Sequence, residues 1–240
     1  MLTLYHCHNS YASQKVRLYL AERSIPWESH HIDLLKQEHI TKEYVKINPR
    51  GLVPALDDDG KIILNSTDIM QYIEDHYVKD ILIGADLSRQ IYEFGKKDED
   101  LHDPHIRTLS YHYLWMNREA SPEEVDRVLT LAKKHPDRAR GEFLARAIQR
   151  QITKEEVSRA NEEIIVAIED MERRLQASRS GFLFGDEYTI ADAVGTARLF
   201  RLELLNFGDL IKQYPLISKY YATMIQRSSF VKANMKGSER

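Results

Sequence analysis

The chain has 240 residues, 42% hydrophobic and 30% charged, the balance of a soluble globular protein able to bury a core without metals or disulfides. Its formal net charge of -3 excludes a global pull toward nucleic acid or anionic membrane. Its single cysteine, Cys7, excludes an internal disulfide and fits a reducing compartment. No apolar run approaches the ~20 residues that span a bilayer, and "MLTLYHCHNS" lacks the basic start and long apolar stretch of a signal peptide. A cytoplasmic chain is expected, with no membrane and no nucleic-acid partner.

The first third alternates between short elements. "LTLYHC" reads as a strand, and "SQKVRLYLAERS" as a helix with Val16 and Leu20 at helical spacing and Leu18 and Ala21 on the flank. "IPWESHHIDL" suits a second strand, and "HITKEYVKIN" a short helix stopped by "NPRG". "LVPAL" and "KIIL" flank "DDDG", a turn of residues tolerant of positive φ, so they form a hairpin. "STDIMQYIEDHY" sets Ile69, Tyr72, Ile73 and Tyr77 on one helical face, with Ser66 or Thr67 able to cap it. The predicted order is β-α-β-α-β-β-α.

Beyond about residue 88 strand signals nearly vanish. "VSRANEEIIVAIEDMERRLQAS" carries Val157, Ile164, Ile168, Met171 and Leu175 on one stripe. "GDEYTIADAVGTARLFRLELL" opens on a capping box, Thr189 to Asp192. Residues 116–150 are rich in charge and read as a helical excursion or mobile lobe. The boundary falls in "VKDILIGADLSRQ", near residues 78–88, which gives domains at 1–80 and 88–234.

Three junctions attract chemistry. Ser10 and Ser13 lie where the first strand runs into the first helix, and the N–H groups and dipole of a helix start favour an anion there. Each serine can cap the helix or hold an anion, and one can do each. In "NPRGLVPAL", Pro54 cannot donate to a ladder and belongs at an edge or tight turn. A cis Val53–Pro54 bond would leave the Val53 backbone free for an extended ligand, although trans is the commoner isomer. Ser66 sits at a further strand-to-helix junction suited to a carboxylate, or caps the helix.

In this order and spacing, "LYHCHNSYASQKVRLYLAER", "INPRGLVPAL" and "ILNSTDIMQYIEDHY" resemble the glutathione-binding domain of cytosolic glutathione transferases. The remainder, chiefly through "FGDEYTIADA", resembles their helical domain. Among branches, the opening looks most like the ganglioside-induced differentiation-associated proteins, and it also resembles the theta and zeta classes and bacterial lignin β-etherases. The resemblance implies an α/β thioredoxin-like N-terminal domain, an all-α C-terminal domain, a cis Val53–Pro54 bond, a homodimer and glutathione as co-substrate. It implies that Ser10, with Ser13 as the alternative, activates the glutathione thiol. Ser13 then starts the helix and belongs with the glutathione-binding residues. His39 would contact the glycine end, Val53 beside Pro54 the cysteinyl backbone, and Ser66 the γ-glutamyl carboxylate. Asn65 stands where the family usually has an acid facing the γ-glutamyl amine, so that charge is missing.

Tyr11, Tyr111, His112 and Trp115 are expected to line the second-substrate site; "TLSYHYLWM" is aromatic-rich and suits an apolar electrophile. Cys7 has no Cys-x-x-Cys partner, reads as a buried strand cysteine and argues against a thiol–disulfide oxidoreductase. Tyr5 reads as strand packing. The histidine pairs at 6–8, 30–31 and 102–105 reproduce no closed ligand set, so no metal is expected. The alternative to an enzyme is a non-catalytic binding or regulatory protein on the same fold. The short polar tail "VKANMKGSER" favours a soluble enzyme over a membrane-anchored relative.

Overall fold

The computed structural model describes residues 1–79, 83–115 and 119–235. The expected boundary at 78–88 and the excursion at 116–150 therefore lie partly outside the described residues.

The N-terminal part runs β1 (Leu2–His6), α1 (Tyr11–Glu22), β2 (Glu28–His31), a 3₁₀ turn (Glu38–Ile40), α2 (Lys42–Ile47), β3 (Ala55–Asp58), β4 (Lys61–Leu64) and α3 (Ser66–Tyr77). The sheet order is β2-β1-β3-β4. β1 and β2 are parallel, joined across α1, and β3 runs antiparallel to both β1 and β4. The mixed sheet follows from the connections: α1 supplies the crossover that the parallel β1–β2 pair needs, and the two-residue turn between β3 and β4 makes that pair antiparallel. Leu2, Leu4 and Leu56 point to the face covered by Val16, Leu20, Ile69 and Ile73. The hairpin turns at Asp59 and Gly60, both at positive φ.

Every described element from residue 85 on is helical: α4 (Ala85–Lys97), α5 (Asp103–Ser110), α6 (Pro122–Lys134), α7 (Arg138–Ile148), α8 (Lys154–Ala177), α9 (Ile190–Leu204), α10 (Gly208–Lys212), α11 (Pro215–Met224) and α12 (Ser228–Lys232). π-helical turns at Asp98–His102 and Tyr111–Trp115 bracket α5. The α8 stripe of Val157, Ile164, Ile168, Met171 and Leu175 is buried. The Thr189–Asp192 capping box forms, as does one at Thr153–Glu156. The charged excursion is an α6–α7 hairpin. None of the described helices is long and apolar enough to cross a membrane.

Two expectations on α3 need correction. Ser66 and Thr67 do not cap it: the cap position is Asn65, at φ 66° with no side-chain cap bond. Tyr72 packs against the margin of the core that Ile69 and Ile73 enter, whereas Tyr77 is exposed. Both hydroxyls donate to Asp58, at 2.8 and 2.6 Å, because a phenol reaching the sheet edge finds a carboxylate there.

The two halves are joined by a buried ionic network. Asp98 accepts from Lys15 Nζ at 2.8 Å, from Arg198 Nη2 at 2.7 Å and from the Tyr11 hydroxyl at 2.8 Å. Asp98, Lys15 and Arg198 are all fully buried. Burial alone would raise the Asp98 pKa; Lys15 and Arg198 overcome it and hold the carboxyl well below its usual range. His102 Nδ1 faces Arg198 Nη2 at 2.8 Å. Burial and that guanidinium push its pKa down to about 3, so the ring is neutral.

Candidate active site

The register of the sheet brings the three junctions to one end. Tyr5 pairs with Ala55, and Ala55 with Leu64. The loop after β1, the Val53–Pro54 bond before β3 and the Asn65–Ser66 step after β4 therefore leave the sheet side by side. At ~4.8 Å between strands, the ends of β1, β3 and β4 span about 10 Å, near the length of an extended tripeptide.

Ser10 caps α1. Its Oγ accepts from the Ser13 N–H at 3.3 Å, and its backbone is extended. That bond uses a lone pair and leaves the hydroxyl proton free to donate outward. The first N–H groups of α1 lack intrahelical partners and face the same way. Ser13 is fully buried, and its Oγ accepts from the Cys7 N–H at 3.3 Å. Ser10 is thus both cap and outward donor, while Ser13 pins the loop from inside.

Two buried arginines hold this loop by its carbonyls. Arg17 donates to the Cys7 carbonyl at 3.2 Å and the His8 carbonyl at 3.1 Å. Arg201 donates to the Asn9 carbonyl at 2.7 Å. Neither has a carboxylate within ion-pairing distance among the described residues. Burial lowers both pKa values, Arg17 to about 10, and both stay charged near neutral pH. Two uncompensated cations behind Ser10, together with a helix N-terminus, make the mouth of the loop electropositive.

Val53–Pro54 is cis. The Val53 N–H and carbonyl make no hydrogen bond within the described chain, whereas the Leu52 carbonyl is taken by Tyr44 and Asn48. His39 is buried, with Nδ1 unpartnered. Burial, His135 and Arg140 push its pKa to about 4, which leaves the ring neutral. The tip of the α6–α7 hairpin rests on this corner. The His39 and His135 rings are 5.6 Å apart, and Arg50 pairs with Asp137 at 2.8 Å. A Cβ on Gly51, at φ 60°, would lie 2.9 Å from both the His39 carbonyl oxygen and Pro136 Cγ.

The start of α3 already holds a carboxylate. Ser66 Oγ and the Thr67 N–H both donate to Glu99 Oε1, at 2.8 and 2.6 Å, while Lys96 holds Oε2 at 2.8 Å. Asn65 donates to Asp68 at 3.0 Å, so it is turned along α3. The expected anion site exists, and an internal side chain occupies it.

The expected second-substrate residues divide. Tyr111 and Trp115 share one face of the π-helical turn, ring centroids 4.7 Å apart, and Tyr111 meets Phe143 of α7 at 5.2 Å. Arg201 joins this wall to the Ser10 loop, its guanidinium 5.8 Å from the Trp115 ring. His112 is exposed on another face, against Tyr113. Tyr11 is buried, with its hydroxyl spent on Asp98; the first helical turn aims it into the interface between the two halves rather than at an open cleft. Cys7 is buried, and burial raises its pKa. Tyr5 packs on His30, 4.7 Å between centroids.

Sequence reasoning missed Arg17, Arg201, Glu99, Arg107, Arg140 and Phe143. A signal existed for some of them. "ARLFRLELL" sets Arg198 and Arg201 inside an almost wholly apolar helix, where an arginine persists only with buried acceptors. Among the described residues no group of three or more His, Cys, Asp and Glu side chains is arranged to hold a metal ion.

Comparison with known proteins accords with this arrangement. Residues 4–80 match the family model of the glutathione S-transferase N-terminal domain, and residues 112–228 that of its C-terminal domain. The chain is 25% identical over 248 residues to glutathione S-transferase TCHQD of Arabidopsis thaliana, covering 96% of this chain and 88% of that protein. It is also 25% identical over 250 residues to the tetrachloro-p-hydroquinone reductive dehalogenase of Sphingobium chlorophenolicum, covering 98% of each. The crystal structure of the β-etherase LigF from Sphingobium sp. strain SYK-6 superposes with a TM-score of 0.84 at 24% identity, over 98% of this chain and 99% of that one, a likeness of fold. Two domain matches in the right order, on a thioredoxin-like sheet followed by a helical domain, place the chain in the glutathione S-transferase family.

Proposed function

We propose that the chain binds glutathione and ionises its thiol through the Ser10 hydroxyl, for attack on a small electrophile with an apolar body. The observation that carries this reading is the free hydroxyl proton of Ser10, on a loop backed by Arg17 and Arg201. A free thiol near pKa 8.5 is only about 3% thiolate at pH 7. Lowering that pKa by about two units needs roughly 2.7 kcal/mol of preferential thiolate stabilisation. One charge-assisted hydrogen bond supplies about 1.5–3 kcal/mol, and the α1 N-terminus adds a smaller share. No protein base is required. The thiolate then displaces a leaving group or adds to an acceptor held beside it. Conjugation, dehalogenation and ether cleavage all start from this species, and relatives and structural neighbours named as transferase, dehalogenase and etherase support that range.

In this reading the unpaired Val53 backbone takes the cysteinyl residue and His39 the glycine end. The γ-glutamyl carboxylate takes Ser66 and displaces Glu99, which then faces the γ-glutamyl ammonium and supplies the charge that Asn65 lacks. Tyr111 and Trp115 line the electrophile site. A homodimer in a cytoplasm that provides the glutathione accords with the family.

A second reading draws on Glu99. An internal carboxylate on Ser66 and Thr67 competes with glutathione, and a strong competitor would leave a binding protein with little turnover. Retention on immobilised glutathione, followed by turnover of an activated aryl halide by wild type and Ser10→Ala, separates the two. The transferase reading expects retention of both proteins and, at pH 7, a turnover loss of about 25-fold in the variant as the thiolate falls from about three quarters to about 3%. Weak or no retention of the wild type, with no turnover, favours the second reading.

A further inference from the structure

The wall opposite the Ser10 loop carries more positive charge than its own carboxylates can neutralise. Arg107 of α5 and Arg140 of α7 converge on the Tyr111–Phe143 pair. The Arg107 guanidinium lies 5.0 Å from the Phe143 ring centroid, and that of Arg140 5.9 Å from both rings. Neither side chain makes a hydrogen bond or ion pair among the described residues, and Arg107 Nε is buried with no partner. Buried polar groups ordinarily find partners, so an orphaned guanidinium nitrogen calls for an acceptor from outside.

Local charge points the same way. Lys15, Arg107, Arg140, Arg198 and Arg201 share the field of two carboxylates, Asp98 and Asp103. Asp98 is spent on Lys15 and Arg198, and Asp103 approaches Lys15 at 4.0 Å. The nearby carboxylates Glu99 and Asp137 are engaged by Lys96 and Arg50. In a chain of net charge -3, this surface between α5 and α7 is locally cationic. Its walls are aromatic, and Trp115 is 40% exposed. Tyr111 packs edge to face with Trp115 and Phe143, at 4.7 and 5.2 Å between centroids, so the three rings form one aromatic surface on which a planar arene can lie, and a guanidinium fork matches a carboxylate in two parallel bonds.

Resting on the transferase reading of this cleft, we propose that its second substrate is an aromatic carboxylate, with the arene against Tyr111, Phe143 and Trp115 and the carboxylate held by Arg107 and Arg140. Arg201, committed to the Asn9 carbonyl, joins the carboxylate-binding end to the Ser10 loop and fixes how far the reacting carbon stands from the thiolate. The site then selects its electrophile by charge as well as by apolar fit, and an uncharged arene of the same shape is the poorer ligand.

The test is binding of a naphthoate and of its uncharged naphthamide isostere to the full chain, followed by calorimetry or by the fluorescence of Trp115. The wild type is expected to bind the naphthoate about tenfold more tightly, with the difference shrinking as salt is raised. Arg107→Gln with Arg140→Gln should equalise the two ligands while leaving naphthamide affinity unchanged, which also reports that the variant is folded. Arg107→Lys, which keeps the charge and loses the fork, should retain part of the preference. Equal affinities in the wild type, or a preference that survives the double variant, would overturn the proposal. Because this binding needs neither glutathione nor turnover, a failure of Ser10 chemistry leaves the result untouched. A failure here removes only the anionic class of substrate.

Discussion

Replacing Asp98 with asparagine tests whether the buried network holds the two halves together. The substitution is nearly isosteric, but it removes the anion between two fully buried cations, Lys15 at 2.8 Å and Arg198 at 2.7 Å. The amide can still accept one bond, while Asp103, at 4.0 Å from Lys15, offsets part of the loss there and leaves Arg198 without an ion pair among the described residues. Removing one partner of a buried pair typically costs about 3–5 kcal/mol, a large part of the ~5–15 kcal/mol that keeps a domain folded. For a chain of this size the melting temperature should fall by about 6–20 °C. Equilibrium urea unfolding, followed by circular dichroism, reads the loss. The pH dependence has a definite sign. The folded carboxyl is held well below its ordinary range, while the unfolded one protonates near 3.9. The advantage of wild type over variant is therefore full above about pH 4 and shrinks as the pH falls below it. A loss under about 1 kcal/mol, the size of a surface pair, would refute the reasoning.

Three further outcomes are expected. Glu99→Gln should weaken glutathione binding severalfold by removing the partner of the γ-glutamyl ammonium; calorimetry that finds tighter binding would show Glu99 to be only a competitor. Gly141→Ala should destabilise the chain by about 1–3 kcal/mol, because its Cβ would fall 2.3 Å from the Ala132 carbonyl oxygen, which is backbone and cannot yield; thermal melting checks it. His6, His39 and His102 are held neutral, with pKa values near 3, 4 and 3, against ~6.5 when unfolded. The unfolded chain then binds more protons at these rings, so their contribution to stability should fall as the pH drops from about 6.5 toward 3 and level off below that, against the opposite contribution of Glu74 and Asp192, whose pKa values burial raises to about 7 and about 6; histidine NMR of the folded chain in which these three rings protonate near 6.5 would contradict the assignment.

Periodicity was a reliable guide where burial is set by the element's own residues. The α8 stripe, the hairpin around Asp59–Gly60 and the Thr189–Asp192 capping box were all legible because their partners lie within a few positions. Contacts across the chain were not. Tyr11 was read as lining a cleft, but Asp98, 87 positions away, draws its hydroxyl inward. Ser66 was read as facing a ligand, and Glu99, 33 positions on, occupies it. His112 directly follows Tyr111, and consecutive residues of a helix point about 100° apart, so the helical spacing already sets the two on different faces. Arg140 lies in the stretch that reads only as a charged helical excursion or mobile lobe, and nothing in the pattern singles out Arg107. Only folding brings α5 and α7 together and leaves both side chains without a direct ion pair among the described residues.

The most direct test of the central claim is ultraviolet titration of the glutathione thiolate bound to the wild type and to Ser10→Ala. Thiolate that forms below pH 7 on the wild type, with a pKa that returns toward about 8.5 in the variant, is the predicted result. Bound glutathione that stays protonated at pH 7 on the wild type, or a pKa that the variant leaves unchanged, would contradict the assignment of Ser10 as the residue that activates the thiol.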